Sequence, residues 1–251
     1  MGEERRGGKT LSNIRLNFIV EGQTEETFVK QQLVEHLAQR LIWAFVRCVQ
    51  TSRKRNIKYR GGLGSYAQTH GDISRWMGQE SGCDVRFTTM FDLFRLPVDF
   101  PGYQAASDLD PIRRATTLEN AMLEDIGDHR LVPYIQVHEF EALVLADSQA
   151  LSSEYPEFAS SVGRLAEMAA RFPSPELING GPQTAPSKRI RQEILTYVKT
   201  TSGLNVTKRI GLPKLRANVR TSARGWTNLS HWDHPCRTKE MATTATARPL
   251  M

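Results

Sequence analysis

Strand-like and helix-like segments alternate between residues 15 and 147, and this alternation restricts the fold more than any other feature of the sequence. The strand-like segments are short, apolar and rich in β-branched or aromatic side chains. They cover residues 16–20, 41–49, 85–91 and 131–137. Strands separated by helices pair in parallel, because a parallel neighbour is reached only through a long crossover. The sequence therefore predicts an α/β fold with a parallel sheet, followed by a mainly helical part.

Capping and periodicity signals mark the helices between these strands. Thr24 is expected to cap a helix with acidic residues in its first turn, and apolar residues then recur at positions 29, 33 and 37. A polar helix is expected over residues 65–80. The pair Asp110 and Pro111 has the form of an N-cap followed by proline at the first helical position, which predicts a helix to about residue 126.

The charge distribution and the cysteine content limit the classes of function that this sequence can have. The net charge is +6, but residues 40–60 alone carry seven Lys or Arg and no acid, so the charge is zoned along the chain. An acidic centre between basic flanks suits a divalent-metal site that a polyanion approaches, although basic flanks are also typical of plain solvated surface. The three cysteines form no CxxC pair, which argues against a disulfide framework or a cysteine zinc site. Because the apolar runs are short, we expect a soluble cytoplasmic protein that does not contact a membrane.

Carboxylates follow three of the predicted strands. Glu21 comes directly after the first strand, Asp92 after the third, and Glu139 and Glu141 after the fourth, beside His138. The carboxyl ends of parallel strands meet at one edge of a sheet, where ligands bind. Carboxylates that lie close together share protons or neutralise a cation, and oxygen ligands favour Mg²⁺ or Mn²⁺. Each residue taken alone is better explained as a cap or a surface charge, whereas for three acids at successive strand ends the two interpretations have equal weight.

Glycines and a helix start supply candidate phosphate contacts. Gly22 permits a sharp turn out of the first strand, while Gly61 and Gly62 follow the basic stretch and could form a loop over a phosphate backbone or a plain turn. Farther along, Pro186 predicts a helix start. The residues behind it, Ser187, Lys188 and Arg189, would place cations near the positive end of the helix dipole, or would be exposed bases on a capped helix.

Five segments in this order resemble the bacterial domain-of-unknown-function family 4276. The resemblance spans about residues 15–216, and its segments read IVEGQTEETF, GGLGSY, TTMFDLFRLPVDFPG, YIQVHEFEALVLAD and INGGPQTAPSKRI. The family is similar to the TOPRIM fold, the metal-binding domain of topoisomerases, primases and the nucleases of the overcoming-lysogenization-defect group. The resemblance implies a four-stranded parallel sheet. It gives Glu21 the role of the TOPRIM glutamate and Asp92 that of the first acid in its Asp-x-Asp motif.

The activity implied by the resemblance is Mg²⁺-dependent cleavage of phosphodiester bonds in nucleic acid, with an ABC-type ATPase partner in phage defence. Glu21, Asp92 and Glu139 would bind the metal, Glu139 or Glu141 would complete the site or act as base, and Lys188 would stabilise the developing phosphate charge. Where TOPRIM enzymes carry their second acid, this chain has Phe94. The alternative is therefore a non-catalytic TOPRIM-like module that docks an ATPase or senses a nucleotide. The oligomeric state stays open.

Four regions are expected along the chain. Residues 1–13 form a disordered lead, residues 14–150 the α/β core, and residues 151–216 a helical extension packed on that core. Residues 217–251 form an atypical, poorly ordered tail, because the Cys-Pro-His-Phe segment typical of the family after Leu215 and Arg216 is absent there. Our hypothesis for this tail is a frameshift near residue 217.

Overall fold

The computed structural model describes residues 13–54, 57–60, 63–178 and 183–219. Its centre is a parallel sheet in the order β2–β1–β5–β6, with β7 also paired to β5. The strands are β1 Ile14–Val20, β2 Ile42–Cys48, β3 Gln50–Lys54, β4 Ile57–Arg60, β5 Val85–Asp92, β6 Leu131–Val132 and β7 Ile135–Gln136. The predicted parallel α/β fold is confirmed, and a separate antiparallel ribbon of β3 and β4 adds to it.

Helices cover both faces of the sheet. In chain order they are α1 Gln23–Phe28, α2 Val34–Ala38, α3 Tyr66–Gln79, α4 Pro111–Ile126, α5 Glu141–Val144, α6 Ala159–Ala169, α7 Pro186–Glu193, α8 Leu204–Ile210 and α9 Leu212–Asn218. Turns of π-helix at Val29–Leu33 and Lys199–Gly203 join α1 to α2 and lead into α8. The helical C-terminal part is therefore confirmed. Among the described residues, no helix is long and apolar enough to cross a membrane.

Side-chain alternation along β1 divides the core into two layers. Leu16, Phe18 and Val20 face the layer formed with α1, α2 and the C-terminal helices, whereas Ile19 faces the layer formed with α3 and α4. Each fully buried side chain of this size stabilises the fold by about 1.5–3 kcal/mol relative to an exposed one. The apolar positions expected at 29, 33 and 37 are all buried in the first layer.

Two local predictions were wrong in detail. The first helix begins at Gln23, with Gly22 preceding it in an extended conformation, so Thr24 lies inside the helix and does not cap it. The fourth strand is split into β6 and β7. Pro133 lies between them, and because proline has no backbone N–H it cannot continue the ladder of hydrogen bonds. The cap at Asp110 is as predicted, and the polar helix expected over residues 65–80 is observed with Ser65 as its cap.

A clamp formed by Asp128 and Arg130 fixes the end of α3 against the start of β6. Arg130 donates to both carboxylate oxygens of Asp128, and to the backbone oxygens of Met77 at 3.2 Å and Glu80 at 2.7 Å. These are carbonyls of the kind that a helix end leaves without a partner. The hydrogen bonds from Arg130 lower the pKa of Asp128.

We expect Asp128→Asn to reduce the free energy of unfolding by about 0.5–1 kcal/mol at pH 7. Because folding lowers the pKa of Asp128, its contribution is complete above the unfolded pKa of about 3.9 and is lost as pH falls through the folded value. The difference between wild type and variant should therefore shrink towards zero below about pH 4. Urea unfolding from pH 3 to pH 8 measures it, with the exposed Glu124 changed to Gln as the control. A difference that stays constant with pH would contradict the role of this charge.

Candidate functional site

Two carboxylates meet where β1 and β5 end. Glu21 follows the last residue of β1, and Asp92 is the last residue of β5, the strand that pairs with β1 in parallel. The backbone N–H of Asp92 donates to Oε2 of Glu21 at 3.3 Å. Glu21 is only 6% exposed. The two acids that the sequence placed at neighbouring strand ends are therefore adjacent.

Both carboxylates open into a cavity of about 340 Å³. The turn after β1, the end of β5, the segment after β7 and the π-helical turn before α8 form its walls. Its lining consists of Glu21, Gly22, Gln23, Thr24, Glu25, Met90, Phe91, Asp92, Arg95, Gln136, His138, Phe140 and Lys199. The site thus combines buried acids, two cations and an apolar floor in one concave space, as ligand sites do.

Burial sets the protonation of the two central acids. Burial is the largest influence on Asp92 and raises its pKa to about 7, with a further rise from the neighbouring charges of Glu21 and Glu139. Burial also raises the pKa of Glu21, against the opposing effect of Arg95. Carboxylates in this situation either hold a proton or are neutralised by a cation.

Lys199 and Arg95 supply positive charge to the cavity. The Lys199 Nζ lies 3.3 Å from Oε1 of Glu25 and 3.9 Å from Oε2 of Glu141, while Nη1 of Arg95 lies 3.6 Å from Oε1 of Glu21. Burial alone would lower the pKa of Lys199, but the charges of Glu25 and Glu141 raise it overall. Lys199 is therefore a charged ammonium in the cavity wall.

Neither cation was identified from the sequence. Arg95 stands three residues after Asp92, and that spacing at a strand end is a signal that could have found it. Lys199 has no such signal, because its segment reads VKTTSG and reaches the cavity only through the packing of the C-terminal helices. Gln32 illustrates that packing: its side chain donates to the backbone oxygen of Leu204 and to Oγ1 of Thr207.

Glu139 and Glu141 lie beside the cavity, and neither is among its described lining residues. Oε2 of Glu139 accepts from the backbone N–H of Ser187 at 3.1 Å, so the start of α7 binds a carboxylate of the chain itself. Glu141 is buried near Lys199, and burial raises its pKa. Of the two acids, Glu139 acts on the central pair through charge, because it raises the pKa of Asp92.

His138 packs face to face with Phe94. Their ring centroids are 4.6 Å apart and the planes differ by 5°. His138 is 2% exposed, and burial lowers its pKa to about 4. It is therefore a neutral imidazole at pH 7, and Phe94 covers one face of its ring.

The other predicted phosphate contacts have different environments. Gly22 lines the cavity, as expected for a residue at the turn out of β1. Lys188 is exposed on α7 and is not among the described residues of the cavity wall. Arg189 donates to the backbone oxygen of Thr184 at 2.9 Å and lies over the Phe172 ring. The expectation for Gly61 and Gly62 concerns positions outside the described residues.

The central carboxylates fit Mg²⁺ or Mn²⁺. Within the described ranges, no group of three or more His, Cys, Asp and Glu side chains is arranged to hold a metal ion. Mg²⁺ does not require such a group, since it keeps several waters and is commonly bound through one or two carboxylates together with substrate phosphates. Buried Glu21 and half-buried Asp92 provide two carboxylates at adjacent strand ends, which is the donor set for that mode of binding.

Comparison with known proteins gives one match. The family model described as "Domain of unknown function (DUF4276)" matches residues 20–229, which includes every lining residue of the cavity. Neither a curated protein nor a solved structure matches the chain.

Proposed function

This chain belongs to the DUF4276 family of domains of unknown function, and we propose that it is a metal-dependent phosphodiester-cleaving protein of TOPRIM type centred on Glu21 and Asp92. The observation that carries the proposal is the adjacency of these two buried acids at the ends of parallel strands. The two cations in the same cavity also support it, because a phosphodiester is an anion that buried acids alone would repel.

Each residue has a distinct role in this proposal. Glu21 and Asp92 hold Mg²⁺ or Mn²⁺, which when bound lowers the pKa of water and neutralises phosphate charge. Arg95 and Lys199 bind the phosphate oxygens and stabilise the negative charge that develops during cleavage. Glu139, whose charge raises the pKa of Asp92, influences the protonation of the central pair. Apolar Met90 and Phe91 exclude bulk water from the floor of the cavity.

The substrate and partner in this proposal are nucleic acid and an ABC-type ATPase that acts in phage defence. Both rest on the resemblance of the sequence motifs to the TOPRIM nucleases. A cavity with acids at its centre and cations at its wall is compatible with a phosphate backbone.

A non-catalytic binding module is the second candidate. It is favoured by Phe94, which stands where TOPRIM enzymes have a further acid and which packs against His138. A domain of this kind would bind a metal–nucleotide complex or an ATPase through the same cavity without cleaving a phosphodiester.

Cleavage assays separate the two candidates. Purified full-length protein should cut single-stranded oligonucleotides or plasmid DNA in Mg²⁺ or Mn²⁺ and should be inactive in EDTA. The binding module would bind Mn²⁺ in calorimetry. It would leave the same substrates intact with every divalent ion, and also when the ABC-type ATPase partner is added. Cleavage that continues in EDTA would contradict both.

Changing Lys199 to Gln should reduce the cleavage rate by about 10²–10³-fold while Mn²⁺ still binds. The reason is that Lys199 contacts the developing phosphate charge in this proposal and repels, rather than holds, a metal ion. Since Glu141 would lose its neighbouring cation, the double variant with Glu141→Gln checks that the fold is not the cause. Lys208→Gln, at an exposed position of α8, is the matched control. Loss of metal binding in Lys199→Gln would count against this role.

A further inference from the structure

Two large aromatic side chains are exposed on β2. Trp43 is 53% and Phe45 45% exposed, although both stand in the middle of a strand of the main sheet. Arg47 lies two residues farther along β2, on the same face of the strand, and is also exposed. We call Trp43, Phe45 and Arg47 the aromatic strip. An exposed apolar patch bordered by charge on a sheet is a common mark of an interaction surface.

The position of the strip in the sheet explains its exposure. β2 pairs only with β1 among the described strands, so it is the outer strand on that side. The strip shares the sheet face of Arg15 and Ile19, on which α3 packs against β1 and β5. The strip therefore lies beside α3, open on its outer side.

Arginines in the strip and beside it contact aromatic rings. The guanidinium of Arg15 lies 4.1 Å from the centroid of the Phe45 ring, and its other contact is an ion pair with Glu80 at 2.7 Å. The guanidinium of Arg47 lies 4.2 Å from the centroid of Trp76. Cation–π contacts hold these groups in place. Positive charge and exposed rings thus occur together on one face of the β1–β2 edge of the sheet.

The charge of the surrounding segment identifies the kind of partner. Residues 40–60, which include the strip and continue into β3 and β4, contain seven Lys or Arg and no Asp or Glu. Pairing of β2 with a second copy would bring two such segments together, and like charges would repel. A polyanion with flat apolar groups complements both the charge and the rings. Single-stranded nucleic acid has this chemistry, because its bases stack on aromatic side chains and its phosphates follow basic surface.

The direction of β2 relates the strip to the cavity. Since β2 and β1 are parallel and Phe45 is in register with Asn17, the strip leads towards the strand end where Glu21 stands. Four residues of rise separate Asn17 from Glu21, which is about 13 Å along the strand. An extended strand of nucleic acid can therefore contact the strip and reach the cavity at the same time.

We propose that the aromatic strip binds single-stranded nucleic acid by stacking bases on Trp43 and Phe45 and guides the strand towards the Glu21–Asp92 cavity. This inference rests on the proposed function for its substrate class. It adds a binding surface outside the cavity and a preference for single strands over duplexes, whose bases are already stacked.

The experiment measures binding without cleavage. Full-length protein is titrated into fluorescently labelled oligo-dT of 20 nucleotides in EDTA, with anisotropy as the readout, and into a duplex of the same length. Trp43→Ala and Phe45→Ala should each weaken binding to the single strand by about tenfold. Trp43→Tyr should retain most of the affinity, because the ring remains. Leu195→Ala, which removes an 84% exposed apolar side chain elsewhere, should leave affinity unchanged.

The outcomes distinguish this surface from the catalytic proposal. Absence of metal-dependent cleavage in wild type would overturn the catalytic proposal alone, because the affinity for the oligonucleotide is measured in EDTA and does not depend on a bound metal ion. Equal affinity of wild type and both Ala variants, or no affinity in wild type, would overturn the aromatic strip. Sedimentation analysis is run in parallel. A change of oligomeric state in the variants, with oligonucleotide binding unchanged, would assign the strip to self-association and overturn the proposal.

Discussion

Changing Glu21 to Gln or Asp92 to Asn should weaken Mn²⁺ binding about a thousandfold and abolish metal-dependent cleavage. Each change removes one unit of negative charge from a buried site and leaves the size of the side chain almost unchanged. At a separation of about 4 Å and an effective dielectric constant of about 20, one unit charge contributes about 4 kcal/mol to holding a cation, which corresponds to about a thousandfold in affinity. Calorimetric titration with Mn²⁺ measures the change.

The fold should survive both changes. The Asn side chain keeps an oxygen that can accept from the N–H of Phe94, which Asp92 binds at 2.9 Å, and Gln can still accept from the N–H of Asp92. Because burial penalises both charges, the variants should unfold at the same temperature as wild type or above it. Glu35→Gln, at an exposed position of α2, is the matched control for loss of one acid. Undiminished Mn²⁺ binding in both variants would remove Glu21 and Asp92 from the metal site.

Gly203→Ala should destabilise the fold by about 1–3 kcal/mol, which lowers the unfolding temperature by roughly 3–10 °C. The backbone at Gly203 is ordinary right-handed helix, so an alanine meets no conformational strain there. The obstacle to an alanine at this position is the lack of room for its methyl group. A Cβ at this position would lie 2.6 Å from the hydroxyl oxygen of Tyr197 and 3.6 Å from a ring carbon of Phe140. Calorimetric melting of the purified variant measures the effect.

Two further variants test the cause of this change. Among the described residues the Tyr197 hydroxyl has no hydrogen-bond partner, so Tyr197→Phe removes the clashing atom at little cost, and Gly203→Ala combined with it should regain most of the lost stability. Gly163→Ala is the matched control in α6, where a Cβ meets nothing within 4 Å, and it should stabilise the fold by about 0.5–1 kcal/mol. If Gly203→Ala and Gly163→Ala melt alike, steric conflict at Tyr197 is not important.

The parts of the fold that could be predicted depend on local chemistry. The cap at Asp110 and the start of α4 at Pro111 follow from rules that act within a few residues, and the structure has both. β1 and β5 could be identified because apolar, β-branched and aromatic residues predominate in buried parallel strands, as they do here. The ribbon of β3 and β4 was missed because its sequence is basic and not apolar.

The candidate site was predictable only to the extent that strand ends define it. Glu21 and Asp92 could be paired in advance because parallel strands end at the same edge. Lys199 could not be assigned to the site in advance, because nothing in its own segment indicates which surface that segment packs against. Ser187 illustrates the same limit. Its position at the start of α7 is local, whereas its N–H bond to Glu139 depends on how two distant segments meet.

The cavity is lined by residues from both halves of the chain, and this has a consequence during protein synthesis. The acids come from the first half of the chain, but Lys199 joins them only after nearly two hundred residues have been made and the C-terminal helices have packed. A nascent or truncated chain that ends before Lys199 therefore carries the anionic half of the site without its ammonium partner. An interrupted chain of this kind keeps Glu21, Asp92 and Arg95 but lacks the ammonium group that faces Glu25 and Glu141 in the finished protein.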